Sequence, residues 1–85
     1  MNKYADVNGN SSVDEYSLGE DSIIIKFKGK GPILYYRYTY LSAGQVNVEE
    51  MKRLAVQGYG LSSYINSGNR VSKLYASKGS SLELI

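Results

Sequence analysis

Positively charged and aromatic side chains alternate over a short stretch in the first half of the chain. Five of them are candidates for binding: Lys26, Lys28, Lys30, Tyr35 and Arg37. Lysines neutralise phosphates, a tyrosine ring can stack on a base, and an arginine can do either. The combination predicts a surface for RNA or single-stranded DNA. The opposing interpretation is the ordinary solvated face of a sheet.

Two runs of β-branched and aromatic residues carry these side chains, over residues 22–28 and 33–41. Glycines and a proline at positions 29–32 separate the runs, which is typical of two strands joined by a short turn. Residues 11–18 predict a further strand. Three strands that follow one another along the chain most simply form an antiparallel meander.

Side-chain alternation assigns the residues of these runs to two faces of the sheet. Burying Lys26 or Arg37 without a partner would be costly, so the faces that carry them are expected to meet solvent. The side chains then expected to point inward are Ile23, Ile25, Phe27, Tyr36 and Tyr38. Tyrosines on a sheet stack bases in several RNA-binding folds, but this assignment favours packing of Tyr36 and Tyr38 under the helices.

The second half of the chain predicts two short helices. Asn47 is suited to an N-cap with Glu50 three residues later, and Gly58 would end this helix. A second helix is expected over residues 61–66. The predicted fold is therefore α+β, a three-stranded antiparallel meander with two short helices packed on one face.

The chain is expected to form one domain. Residues 1–10 predict a flexible leader, residues 11–76 a single domain, and residues 77–85 a tail with room for a short extra strand. The longest apolar run is far below the ~20 residues that span a bilayer, and no targeting segment is visible. We therefore expect a cytoplasmic protein with no membrane association.

Few side chains are suited to catalysis. The 85 residues include no cysteine and no histidine, so the usual soft metal ligands and the commonest general base are absent. Most carboxylates lie within residues 1–22 or on the first predicted helix. We expect a protein that is not an enzyme, with no catalytic residue, no metal and no cofactor. The net charge of +2, with an acidic start and a basic remainder, is compatible with an anionic partner.

The order of motifs resembles that of the KTSC domain, a small module named after the C-terminal extension of some lysyl-tRNA synthetases. It also occurs as a stand-alone bacterial or phage protein. The similarity covers roughly residues 11–75 and lies in Ser11-Ser12-Val13 with Tyr16, Ile25-Lys26-Phe27, Tyr36-Arg37-Tyr38, Met51 with Leu54, residues 58–66 and Tyr75. The proline that often opens the family's helix is replaced by Gln45-Val46-Asn47. The resemblance implies a small α+β fold, and it implies RNA binding only by association with the synthetases.

The leading prediction is a non-catalytic module that binds RNA or single-stranded nucleic acid through the five candidates named first. One alternative is a protein-interaction module, a phage-type inhibitor or adaptor of a host protein, using Ile24, Ile33 and Tyr35. Another is capture of a nucleotide or other small anionic ligand. Its candidates are Arg53, Tyr64 and Arg70. The oligomeric state stays open.

Overall fold

The strands lie in the sheet in the order in which they occur along the chain, and each pairs antiparallel with the next. The computed structural model describes residues 1–67 and 71–85. In this part of the chain the sheet has five strands: β1 (Asn2–Lys3), β2 (Val13–Leu18), β3 (Ser22–Phe27), β4 (Tyr35–Thr39) and β5 (Ser77–Gly79). The same residues form three helices: α1 (Tyr40–Ala43), α2 (Gln45–Gln57) and α3 (Leu61–Ile65). Single 3₁₀ turns follow at Val71–Lys73 and Leu82–Leu84.

The predicted α+β class and antiparallel meander are confirmed, but three strands and two helices were too few. Strands β2, β3 and β4 correspond to the three predicted runs. Strand β1 extends the sheet at one edge and β5 at the other. The predicted flexible leader thus contributes β1, and Tyr4 next to it is buried with 2% of its surface exposed.

Helix α1 begins where the third predicted strand was expected to continue. Thr39 and Ser42 form a capping box: the Ser42 amide donates to Thr39 Oγ1 over 3.1 Å, and the Thr39 amide donates to Ser42 Oγ over 3.0 Å. These bonds satisfy backbone donors that a helix N-terminus otherwise leaves unpaired. The chain therefore leaves the sheet after Thr39, and Leu41 on α1 is fully exposed.

Helix α2 begins three residues earlier than predicted, at Gln45, with Gly44 as its N-cap. Asn47 is therefore not the cap. Its amide donates to the carbonyl oxygen of Ala43 over 2.8 Å and accepts from the Tyr64 hydroxyl over 2.5 Å. The predicted end at Gly58 is confirmed. This glycine has a left-handed φ of 89°, and its N–H donates to the Leu54 carbonyl.

The core lies between the inner face of the sheet and helices α2 and α3. Helix α2 buries Val48, Met51, Leu54 and Ala55, and α3 buries Leu61 and Ile65. On the sheet, Ile23, Ile25 and Tyr38 are almost completely buried, as predicted. Phe27 and Tyr36 also point inward, but they are half-buried at the margin of the core. Among the described residues, no helix is long and apolar enough to cross a bilayer.

Candidate functional site

Three of the five predicted binding residues share the outer face of the sheet, the face opposite the helices. Lys26 lies opposite Tyr35 in the pairing of β3 with β4, and Arg37 lies opposite Ile24. The Lys26 ammonium group lies 5.9 Å from the centroid of the Tyr35 ring, within the range of a cation–π contact. Strand pairing thus brings Lys26, Tyr35 and Arg37 together, as the alternation predicted.

Acidic side chains neutralise part of this outer face. A β-bulge between Val13 and Glu15 adds one residue to β2, and that residue is Asp14. Its carboxylate bonds Lys3 over 2.9 Å and Lys26 over 3.2 Å. Hydrogen bonds from these two lysines, with Lys3 contributing most, hold the pKa of Asp14 below its ordinary value. The ammonium group of Lys26 therefore already has an anionic partner within the protein.

The C-terminal segment covers Arg37 on the same face. We call residues 80–85 the tail; its residues Leu84 and Ile85 lie against Gly79 of β5. The Arg37 Nη2 group donates to the carbonyl oxygen of Ile85 over a long 3.4 Å. Its Nε atom is buried and has no hydrogen-bond partner among the described residues. Arg37 is thus partly shielded from any external ligand.

The two remaining candidates lie away from the outer face. Lys28 follows β3, and its Nζ lies 2.9 Å from Oδ2 of Asp6, a residue of the loop before β2. Lys28 is half exposed and borders a cavity on the helix side of the sheet. Lys30 is exposed on the turn between β3 and β4. The structure therefore divides the predicted patch into two parts.

The cavity beside Lys28 is a groove of about 470 Å³ between the sheet margin and the end of α3. Its aromatic walls are Phe27, Tyr36 and Tyr75, and Lys28 and Lys73 stand on it as well. We call it the aromatic groove. At its base the Tyr38 hydroxyl donates to the Ser72 carbonyl over 3.0 Å, which ties β4 to the first 3₁₀ turn. The groove is thus built from segments distant in sequence.

The three rings of the aromatic groove contact one another edge to face. The Phe27 and Tyr36 centroids are 5.4 Å apart at an interplanar angle of 83°, and those of Tyr36 and Tyr75 are 5.3 Å apart at 75°. Such contacts orient rings and add stability beyond the area they bury. The Lys78 ammonium group lies 5.1 Å from the Tyr75 centroid, so a further cation stands at this edge.

The aromatic groove is positively charged. The described residues that line it include two lysines and no carboxylate. On the outer face, by contrast, Asp14 and Glu15 lie beside Lys3 and Lys26. Side-chain alternation placed Tyr36 in the core, Tyr75 was noted only for the family resemblance, and Lys73 was not predicted to bind. The signal available was the shortness of the helical segments, which cannot cover the whole inner face.

Of the residues predicted for the two alternative hypotheses, the structure describes all but one, and two are already bonded within the protein. Arg53 is exposed on α2 and donates to Glu50 over 2.9 and 2.6 Å and to Gln57 over 3.2 Å. Tyr64 is bonded to Asn47, and Arg70 lies outside the described residues. Of the proposed apolar contact residues, Ile33 borders the aromatic groove, whereas Ile24 and Tyr35 belong to the outer face.

Comparison with known proteins adds no relative. No family model matches the chain, and no match is found among curated proteins or solved structures. Membership of the KTSC family therefore stays a prediction. Within the described residues, no group of three or more histidine, cysteine or acidic side chains could hold a metal ion.

Proposed function

We propose that this protein is a non-catalytic module that binds single-stranded nucleic acid, RNA or DNA, in the aromatic groove. The observation that carries the proposal is an open groove with three aromatic walls, two lysines and no carboxylate among its described lining residues. Single-strand binders combine these same elements, because aromatic rings stack on bases and lysines neutralise phosphates.

The dimensions of the groove support this ligand. A volume of about 470 Å³ lies within the range of small-molecule sites, roughly 300–1,000 Å³, so one base with its sugar is a reasonable occupant. Tyr36 and Tyr75 are half-buried, so part of each ring is open to the groove. Lys28 and Lys73 line the same cavity, where they can reach the phosphates on either side of a stacked base.

The outer face is a weaker candidate for the same function. Lys26 is engaged by Asp14, and Arg37 is covered by the tail. A phosphate there would have to replace existing bonds and would meet the charge of Asp14. The aromatic groove also has one such competitor, the Asp6 partner of Lys28, but Lys73 adds a second cation.

Fluorescence anisotropy of labelled single-stranded RNA and DNA, titrated at two salt concentrations, tests the proposal. We expect saturable, micromolar binding that weakens steeply with salt. The double variant Lys28→Gln/Lys73→Gln should lower the affinity and reduce the salt slope by about 1.4, because each phosphate contact to a single strand contributes about 0.7 to it.

A variant with the same change in charge on the other face provides the control. Lys26→Gln/Arg37→Gln also removes two positive charges, and we expect it to retain most of the binding. If this pair abolishes binding while the groove pair does not, the site is the outer face. If the unmodified protein shows no binding at low salt, the nucleic-acid proposal fails. Thermal stabilisation by free nucleotides alone, lost in Arg53→Gln, would favour the small-anion alternative.

A further inference from the structure

A second cavity of about 250 Å³ adjoins the aromatic groove. It lies between the loop before β2 and the segment that leads into α3. Its wall includes the amide side chains of Asn8 and Asn10, the ring of Tyr59, and hydroxyl groups of serines. We call it the amide pocket. Tyr59 is 48% exposed and both asparagines are exposed, so these side chains are accessible from solvent.

Two side-chain contacts mark the boundary between the cavities. Lys28 lines the aromatic groove, Asp6 lines the amide pocket, and they form the 2.9 Å ion pair. Likewise Ser12 lines the groove and Ser62 lines the pocket, and their hydroxyl oxygens are 2.8 Å apart. The two cavities are thus neighbours whose common wall consists of polar side chains. A linear ligand could follow them from one to the other.

The two cavities suit different parts of such a ligand. The described lining of the amide pocket includes no lysine or arginine, and its one carboxylate, Asp6, is paired with Lys28. It therefore suits a neutral polar group better than a phosphate. Within the described residues, the side-chain amides of Asn8 and Asn10 make no hydrogen bond. An amide offers a donor and an acceptor side by side, which matches the edge of a base.

We infer that the amide pocket is a base-reading subsite for the nucleotide next to the one stacked in the aromatic groove. This inference rests on the proposed function. In this arrangement the first base contacts Tyr36 and Tyr75, and the connecting phosphate lies at Lys28. The second base presents its hydrogen-bonding edge to Asn8 and Asn10. Stacking tolerates every base, whereas amide contacts discriminate, so base preference should come from the pocket.

The test compares short single-stranded homopolymers of adenine, cytosine and uracil as competitors for one labelled strand. The unmodified protein should bind its preferred base about tenfold more tightly than the poorest, the order of one base-edge contact. In Asn8→Ala/Asn10→Ala this preference should fall to about twofold, while binding to the poorest homopolymer stays unchanged. Gln45→Ala removes an exposed amide at the start of α2 and should leave the preference intact.

Each outcome separates this inference from the proposed function. Equal affinity for all homopolymers in the unmodified protein would overturn the inference and leave the proposed function standing. A preference that survives in Asn8→Ala/Asn10→Ala would assign base reading elsewhere and overturn it as well. Absence of binding to every strand would overturn the proposed function itself. Circular dichroism of the double variant establishes that a changed preference is not caused by unfolding.

Discussion

The ammonium group of Lys28 lies 2.9 Å from Oδ2 of Asp6, and this ion pair joins the aromatic groove to the loop that precedes β2. The other carboxylate oxygen of Asp6 accepts from the Ser11 amide over 3.1 Å, which fixes the loop. The Lys28 hydrogen bond is the main reason that the pKa of Asp6 lies below its ordinary value. A phosphate that binds Lys28 must therefore compete with a carboxylate that is charged at neutral pH.

Removing this competitor should strengthen nucleic-acid binding. In Asp6→Asn we expect the affinity for single-stranded RNA to rise about two- to fivefold at low salt, the range of an exposed ion pair. Asp14→Asn is the matched control, because Asp14 also binds lysines but lies on the outer face. Anisotropy titrations of both variants with labelled single-stranded RNA measure this change in affinity. A gain in Asp14→Asn with none in Asp6→Asn would assign the binding to the outer face.

If a base stacks on Tyr75, two substitutions of this residue should affect nucleic-acid binding differently. Tyr75→Leu should weaken binding by about 1–3 kcal/mol, the usual contribution of one stacked base, whereas Tyr75→Phe keeps the ring and should change it little. Titration at high salt is the sharper measurement, because charge contacts then contribute less.

A loss of similar size in Tyr75→Phe would show that the hydroxyl contributes, and stacking would not explain the site. If both the Leu and the Phe variant bind as tightly as the unmodified protein, Tyr75 does not contact the ligand. Both variants keep the core tyrosine Tyr38 and its bond to Ser72, so they should stay folded.

The two central strands, β3 and β4, could be predicted from sequence because β-branched and aromatic residues run through five or six positions of each. Strands β1 and β5 have two and three residues, too few to show any period, and only pairing with β2 and β4 defines them. The bulge that turns Asp14 to the outer face is likewise defined by the pairing of β2 with β3.

The aromatic groove could not be predicted from the sequence, because it depends on how much of the sheet the helices cover. Alternation correctly placed Tyr36 on the inner face, and burial was assumed to follow from that. Helix α3 has five residues, about 7.5 Å of rise, whereas β3 has six residues, about 20 Å of strand. Because α3 is too short to cover the whole inner face of the sheet, Phe27 and Tyr36 stay half-buried. The other walls come from residues 72–75, whose position depends on the tertiary fold.

Two valines of α2 allow a matched test of the core. Val48 is completely buried and Val46 is 82% exposed, on the same helix. Val48→Ala should lower the free energy of unfolding by about 2 kcal/mol, from two lost methyl groups and the cavity they leave. Val46→Ala should leave it unchanged or raise it by up to about 0.5 kcal/mol, because alanine favours helix.

Urea denaturation of both variants measures this difference directly. Equal destabilisation of the two would contradict the packing of α2 on the sheet. A larger loss in Val46→Ala would mean that the helix buries the opposite stripe, a rotation that would also expose Met51.

The ion pairs of Asp14 predict loss of stability in acid. Its pKa is lower in the folded protein than the ordinary value of 3.8, so the unfolded chain binds its proton first as the pH falls. The stabilisation is therefore complete above pH 3.8 and is lost as the pH falls through the folded value. In Asp14→Asn the loss of stability caused by protonation of this carboxylate should disappear. Melting temperatures of the two proteins should differ at neutral pH and converge in acid; a constant difference would contradict the assignment.

The contact between the tail and Gly79 can be tested by adding a single methyl group. A Cβ at position 79 would lie 2.9 Å from Leu84 Cβ, closer than real Cβ contacts come, and 3.2 Å from Ile85 Cγ2, which is also tight. Gly79→Ala should therefore lift the tail and uncover Arg37. Gly31→Ala is the control, because a Cβ there meets nothing within 4 Å.

We expect Arg37 to react faster with a guanidine-specific reagent in Gly79→Ala than in Gly31→Ala or the unmodified protein. Amide exchange at Leu84 should rise in parallel, since its N–H bond to the Ser81 carbonyl belongs to the displaced turn. If lifting the tail also increases nucleic-acid binding, the outer face contributes a second contact through Arg37 and Tyr35. Unchanged reactivity of Arg37 would mean that the tail does not shield it, because a methyl group at position 79 leaves the tail no room in its present position.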